Sequence, residues 1–436
     1  MLSKSDTFKS IRKAIDGVPV IDCHEHTEGY RFAPEYKESI TSLIQGYVQS
    51  DLVSAGGEPH MKMLNDPSIS TRQKWPIFEK LWKATEHTSY ARVTKLIMEK
   101  FYGETEISLD SLERMEKKLL KIRDEKVYNK ILDDAHIVCR LVNIGGGEGF
   151  SLKNYIEGKY KLPDRDRMLV PLPNFHHIGS YEAIQAVASI LNRKVTSLDE
   201  YVDACRQIFS KMKERGTIGM KDQSAYNRPI RFSNATHEEA ERIFNKIMEN
   251  PRFSIGFPEL IPLSDYLFHH FMRMARDLDF FVQLHTGHMA GVRNEITKTN
   301  AVLLTSVLEM HQEVRFDLFH GNWPYDGEFL FLAKNYPNVH IDACWLNIID
   351  AYYARRLFAN SITAVPHTKI HGFGGDYGDI PEYAVCHLLI AKDAIAAGLA
   401  EVVDIGWLTE KEGIKIAVDW LFNNPNEWYK LGLDPV

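Results

Sequence analysis

The sequence predicts a (β/α)8 barrel of the TIM type with a helical insertion after its first strand, and three observations carry that prediction. Eight short apolar, β-branched runs recur along the 436 residues, helix-like segments separate most of them, and histidines or an aspartate stand at the ends of several. In such barrels the catalytic groups sit at the carboxyl ends of the strands and in the loops that follow. A chain of this length could hold two or three average domains, yet barrels routinely use about 250 residues or more as one unit. The economical reading is one domain over 1–436, with the insertion at about 30–130 standing over the barrel mouth.

The first run, 18–23, leads into Asp22-Cys23-His24-Glu25-His26. Side chains at i and i+2 of a strand share a face, so His24 and His26 can present two imidazoles to one ion while Cys23 alternates away from them. His-x-His is weak evidence alone, since 18 histidines in this chain yield roughly one such pair by chance. Taken singly, either histidine reads as well as a hydrogen-bonded core residue. The gap that follows, 27–135, is too long for a βα connection and needs structure of its own. Segments 39–50, 75–84, 90–102 and 109–123 have helical spacing and supply it.

The second and third runs are 136–142 and 167–172. Gly145-Gly146-Gly147 after the second lacks a dinucleotide-binding pattern and reads as a flexible loop. The helix-like segment 181–215 precedes the fourth run, 217–221, which ends in Lys221; 236–249 and 263–277 precede the fifth, 280–285, which ends in His285. The sixth run, 314–319, is followed by His320; the seventh is 338–344; the eighth, 370–375, delivers Asp376. Segments 383–397, 409–422 and 426–431 then make the last barrel helix and a cap. An open doubly wound sheet would require a glycine-rich phosphate turn after the first strand, and the sequence after residue 26 has none.

Composition narrows the partners. Hydrophobic residues make up 44% and charged residues 25%, enough for a substantial core. Net charge is −7 and no dense Lys/Arg block stands out, which argues against nucleic acid and leaves a small molecule as the partner. The polar start of the chain lacks a secretory pattern and no run is long enough to span a membrane, so a cytoplasmic protein is expected. Five widely spaced cysteines fit reduced core residues.

The order His24-x-His26, His285, His320, Asp376 over eight βα units resembles the amidohydrolase superfamily of metal-dependent barrels. Within it, Val282-Gln283-Leu284-His285-Thr286-Gly287-His288-Met289 and the long insertion resemble the uronate isomerases. Met220-Lys221-Asp222-Gln223-Ser224-Ala225-Tyr226-Asn227-Arg228 is similar to the amidohydrolase domain fused to glutamine synthetase-like proteins, with Asn227-Arg228 shifted against that pattern. The resemblance implies His24, His26, His285 and Asp376 as ligands of one Zn²⁺, with Mn²⁺ the other option, and a homo-oligomer. Such a donor set leaves a position open for water, which ionises near neutral pH when metal-bound. Asp376 would take the water's proton and pass it to the leaving group, and His320 would polarise the substrate carbonyl. Lys221 stands where some members carry a carboxylated lysine, and it could equally pair as an ammonium with a substrate carboxylate.

Arg228 and Arg293, just past the fourth and fifth strand ends, are candidates for binding a carboxylate. Trp345 and Tyr377, with Trp323, Tyr325 and Asn347, are candidates for a substrate-binding wall. His176, His177, His269, His270 and His288 read as loop or helix-surface residues. The leading function is hydrolysis of a C–N or ester-like bond in a small polar, carboxylated compound. Uronate isomerisation and nonoxidative decarboxylation are the alternatives within the superfamily, and a metal-binding sensor is the non-enzymatic one. Uronate isomerases usually place a serine-arginine context and an arginine pair after the last strand, where this chain has Asp376-Tyr377-Gly378-Asp379. That departure favours hydrolysis.

Overall fold

The computed structural model describes residues 2–26, 37–119, 124–143, 151–378 and 380–436. The glycine run 145–147, the end of the 109–123 segment and Asp379 lie outside them. Eight parallel strands form one sheet in sequence order: β1 (Val20–Glu25), β2 (Ile137–Val142), β3 (Asp166–Pro171), β4 (Gly219–Asp222), β5 (Phe281–Leu284), β6 (Arg315–Leu318), β7 (Val339–Asp342) and β8 (Ile370–His371). Each expected run overlaps its strand, with β1, β3 and β4 running one or two residues past the expected bounds. Backbone bonds from Cys23 N to Phe373 O, Asp376 N to His24 O and His26 N to Tyr377 O bring the last segment against β1 and round the sheet into a (β/α)8 barrel.

Two local devices shape that closure. Along β1, Asp22 pairs with Arg140 and Glu25 with Val142, so three residues advance against two. Such a bulge re-aims side chains at a strand end. The eighth run holds ladder pairing only over Ile370–His371, because Gly372–Tyr377 peels off to bond β1. Here glycine is required for close approach: a Cβ at Gly374 would lie 2.7 Å from Cys344 Sγ, and one at Gly375 would collide with the Glu25 carboxylate.

Helices lie outside the sheet. Ile261–Asp277 buries Leu263, Leu267, Phe271 and Met274 on one stripe, and these join Val282, Leu284, Phe316 and Ile341 in the main core. Each such side chain contributes about 2 kcal/mol by leaving water. Inside the barrel, Ile21, Cys23, Cys139, Leu141, Leu169 and Phe281 pack on Phe422 and Tyr429, so the C-terminal segment closes the floor.

Between β1 and β2 stand Ser39–Ile44, Val48–Leu52, Thr71–Thr85, Ser89–Ile97 and Leu109–Glu116. Gly46, whose Cβ would strike the Tyr383 ring, marks the break in the expected 39–50 helix. Apolar residues of these helices, among them Leu43, Phe78 and Tyr90, form a cluster shared with Phe319, Cys344, Trp345 and Tyr377 at the strand ends. Among the described residues no helix is long and apolar enough to cross a membrane.

Candidate metal centre

The bulge of β1 and the loop after β8 bring three side chains together. His24 Nε2 and His26 Nε2 are 3.2 Å apart, and Asp376 Oδ1 lies 3.3 Å from the first and 3.0 Å from the second. Bonds of about 2.0–2.2 Å around a tetrahedral ion place ligand atoms roughly 3.3–3.6 Å apart, so the donors and their spacing fit a metal. His24 and Asp376 are buried, while the His26 side chain is 38% exposed and marks the open side.

Asp376 is held from every direction. Its φ of +59° is costly for a residue with a Cβ and persists only where the surroundings impose it. Its amide donates to His24 O, Tyr47 donates its hydroxyl to Asp376 O, and both flanking amides are caught: Gly375 N by Asp22 Oδ1 at 2.9 Å and Tyr377 N by Glu25 Oε2 at 2.9 Å. Burial alone would raise the Asp376 carboxyl, but hydrogen bonds from His24 and His26 hold it well below the carboxylate range. Burial lifts Asp22 to about 6 and, with the neighbouring Asp22 charge, lifts Glu25 further.

His285 does not stand with His24 and His26. Its Nδ1 faces His320 Nε2 at 3.1 Å, and His320 Nε2 is 3.8 Å from Asp376 Oδ2. His285 Nε2 meets His288 O at 2.9 Å and His320 Nδ1 meets Cys344 O at 3.0 Å. A carbonyl only accepts, so those outer nitrogens carry the hydrogens and the facing pair presents lone pairs. That edge accepts a proton or a cation. Burial lowers His285 to about 3 and His320 well below the histidine range.

Lys221 is fully buried with no hydrogen-bond partner among the described residues; its ammonium stands 3.6 Å from the Phe319 ring centroid. Burial lowers it to about 8. Trp345 is buried, with His320 at 5.3 Å, Tyr47 at 4.7 Å and a stacked His288 at 5.2 Å between ring centroids. Tyr377 lies 5.0 Å from Tyr47. The arginines point to other duties. Arg228 is buried, paired with Asp265 at 2.6 Å, and spends its remaining donors on Ser264 and the carbonyls of Pro229 and Arg231. Arg293 is exposed and forks onto Glu58 of the insertion. Asn347 ties Ala343 O to Gly372 O.

Two histidines expected at the surface are core residues. His176 bridges Asp222 at 2.7 Å and Ser264 at 2.8 Å, and His269 pairs with His311 at 2.8 Å. Sequence reasoning also left Asp22, Glu25, Tyr47, Tyr90 and Tyr226 without roles. The signal for Asp22 and Glu25 was available: two carboxylates in an otherwise apolar strand need a reason to be buried. Nothing in the pattern marked Tyr47.

The cluster thus stands at the carboxyl ends of the strands of an eight-stranded barrel, the place where such barrels carry their reactive groups. Residues 226–390 match the amidohydrolase family, a stretch that contains His285, His320 and Asp376 but not His24, His26 or Lys221. Protein fluG of Emericella nidulans is 25% identical over 227 residues, which cover 50% of this chain and 26% of that protein. The chain thus spans about a quarter of that relative's length. Two solved structures share the fold: a uronate isomerase from Thermotoga maritima (TM-score 0.76, 13% identity, 98% of each chain) and a glucuronate isomerase from Caulobacter crescentus (TM-score 0.75, 17% identity, 100% of this chain and 97% of that one). Over residues 226–390 the chain is therefore similar to the amidohydrolase family.

Proposed function

We propose that the protein is a metal-dependent hydrolase that directs water at a C–N or ester-like bond of a small polar substrate. The observation that carries this reading is the convergence of His24 Nε2, His26 Nε2 and Asp376 Oδ1 within 3.3 Å of one another. These three residues would hold one Zn²⁺, with Mn²⁺ able to replace it. When bound, the metal supplies the acidity that makes water a nucleophile near neutral pH. Asp376, kept ionised, accepts the water's proton and returns it to the leaving group. His320, whose Nε2 presents a lone pair towards His285, would polarise the substrate carbonyl once a proton is bound on that edge. Lys221 stays an ammonium beneath them, and its charge favours the anionic intermediate. Trp345 and Tyr377, with Tyr47 reaching in from the insertion, wall the substrate; the insertion and barrel act as one unit over 1–436.

Uronate isomerisation is the second reading, supported by the shared fold. Its carboxylate would need a cation, and the guanidinium groups of Arg228 and Arg293 are already engaged by Asp265 and Glu58. That leaves the Lys221 ammonium, without a hydrogen-bond partner among the described residues, as the cation for a substrate carboxylate, and the absence of the arginine pair after the last strand is what favours hydrolysis. Nonoxidative decarboxylation remains the third, and homo-oligomerisation belongs to the same family expectation. The test is a panel of small amides, esters, uronates and aromatic or aliphatic acids offered to the zinc-loaded protein and to Asp376→Asn. Hydrolysis that vanishes in the variant supports the reading; isomerisation or carbon dioxide release by the unmutated protein overturns it.

A further inference from the structure

A second set of ligand-type side chains lies inside the barrel, sharing no residue with the mouth cluster. Cys23 Sγ, a carboxylate oxygen of Asp342 and a ring nitrogen of His371 lie within 4.8 Å of one another, and all three residues are buried. Asp317 joins them from β6: its Oδ1 is 3.5 Å from His371 Nδ1, which is 3.9 Å from Asp342 Oδ2. The 3.5 Å separation matches two ligand atoms around one ion bonded at about 2.0–2.3 Å, and the remaining donors stand within 4.8 Å. Asp317 Oδ1 is buried, aimed into the cluster and without a hydrogen-bond partner among the described residues. Two carboxylates are therefore enclosed together; the buried Lys221 ammonium acts on both from a distance, and no lysine or arginine is hydrogen-bonded to either among the described residues. Burying charge in this way costs several kcal/mol unless a cation or proton compensates it.

Supporting contacts orient each group as metal ligands are oriented. Cys344 N donates to Asp342 Oδ1 at 2.6 Å, Gln283 Nε2 to Asp317 Oδ2 at 3.2 Å, and His340 Nδ1 lies 3.2 Å from His371 Nε2. Tyr429, from the C-terminal segment, seals the floor with its hydroxyl 2.5 Å from Asp317 Oδ2, 2.8 Å from His371 Nδ1 and 3.5 Å from Asp342 Oδ2. Cys23 keeps the interior face it shares with Ile21, while the register shift between Asp22 and Glu25 re-aims His24 to the mouth.

We propose that the barrel floor is a structural zinc site in which Cys23, Asp342 and His371, with Asp317, hold a divalent ion independently of the mouth. Thiolate, imidazole and carboxylate suit Zn²⁺, and a closed site without an open position is structural rather than catalytic. Binding releases the Cys23 proton to solvent and ties β1, β6, β7 and β8 together from within.

The test loads Zn²⁺ into a His24→Ala/His26→Ala variant and measures metal after chelator treatment, with Co²⁺ substituted in parallel. Retention of one chelator-resistant equivalent, a thiolate-to-cobalt band in the near ultraviolet, and loss of both in His371→Gln support the site. A folded double variant that retains no metal, or a cobalt form lacking the thiolate band, overturns it and leaves the cluster closed by Tyr429 and a shared proton. If the variants do not fold, the unmutated protein decides: a thiolate-to-cobalt band that survives chelator treatment supports the site, since His24, His26 and Asp376 include no thiolate, and its absence overturns it.

Discussion

At the scale of single residues the account rests on Asp376, which is clamped through its own carbonyl and through both neighbouring amides. Asp376→Asn keeps the shape and removes the base, so turnover should fall about 10²–10⁴-fold with substrate binding retained, as steady-state kinetics and a binding titration would show. Lys221 gives a prediction with a definite sign. Burial lowers it to about 8 from an unperturbed 10.5, so below pH 8 both folded and unfolded chains carry the proton and the folded one bears the full cost. As pH rises from 8 towards 10.5 the folded state sheds the proton first and stability increases. Denaturant unfolding of the metal-free protein should become up to about 3 kcal/mol more favourable to the native state over that window, relative to Lys221→Met. At this scale the sequence displayed the ligand types His24, His26 and Asp376, because spacing and strand ends are local properties. It did not show that Arg228 is consumed by Asp265, since residues 36 and 37 positions away meet only through the fold.

At the scale of elements, the eight apolar runs were legible because a buried parallel strand is apolar along its length. Their ends were not: the pattern marks burial, whereas strand limits follow backbone pairing, and β8 keeps two ladder residues of the six in its run. The β1 bulge was equally hidden, being a mismatch of register between two strands. Gly375→Ala tests the closure that these devices create. Its Cβ meets the Glu25 carboxylate, so activity should fall at least about tenfold, the size of loss that displaced catalytic geometry brings, with a smaller change in the unfolding midpoint. Arg140 and Asp166 test the neighbouring β2–β3 wall, where a buried guanidinium forks onto a carboxylate at 2.9 and 3.0 Å. Asp166→Ala strands that charge and should cost about 3–5 kcal/mol by urea unfolding.

At the scale of the whole molecule, function depends on two segments far apart in sequence meeting the barrel at opposite ends. The helices between β1 and β2 bring Tyr47 and Tyr90 against Trp345, and the C-terminal segment inserts Tyr429 between Asp317 and His371. Tyr47→Phe removes the hydroxyl that holds Asp376 O, and kcat should drop severalfold with little change in KM. The need for an insertion was legible from the length of the gap; its aromatic contacts were not, because helical periodicity says which face is apolar and not what it meets. The most direct test of the central claim is elemental analysis of the purified protein beside His24→Ala/His26→Ala. The account expects the variant to hold one equivalent of metal less and to lose turnover, whatever the barrel floor retains. Equal metal content in the two proteins would contradict it.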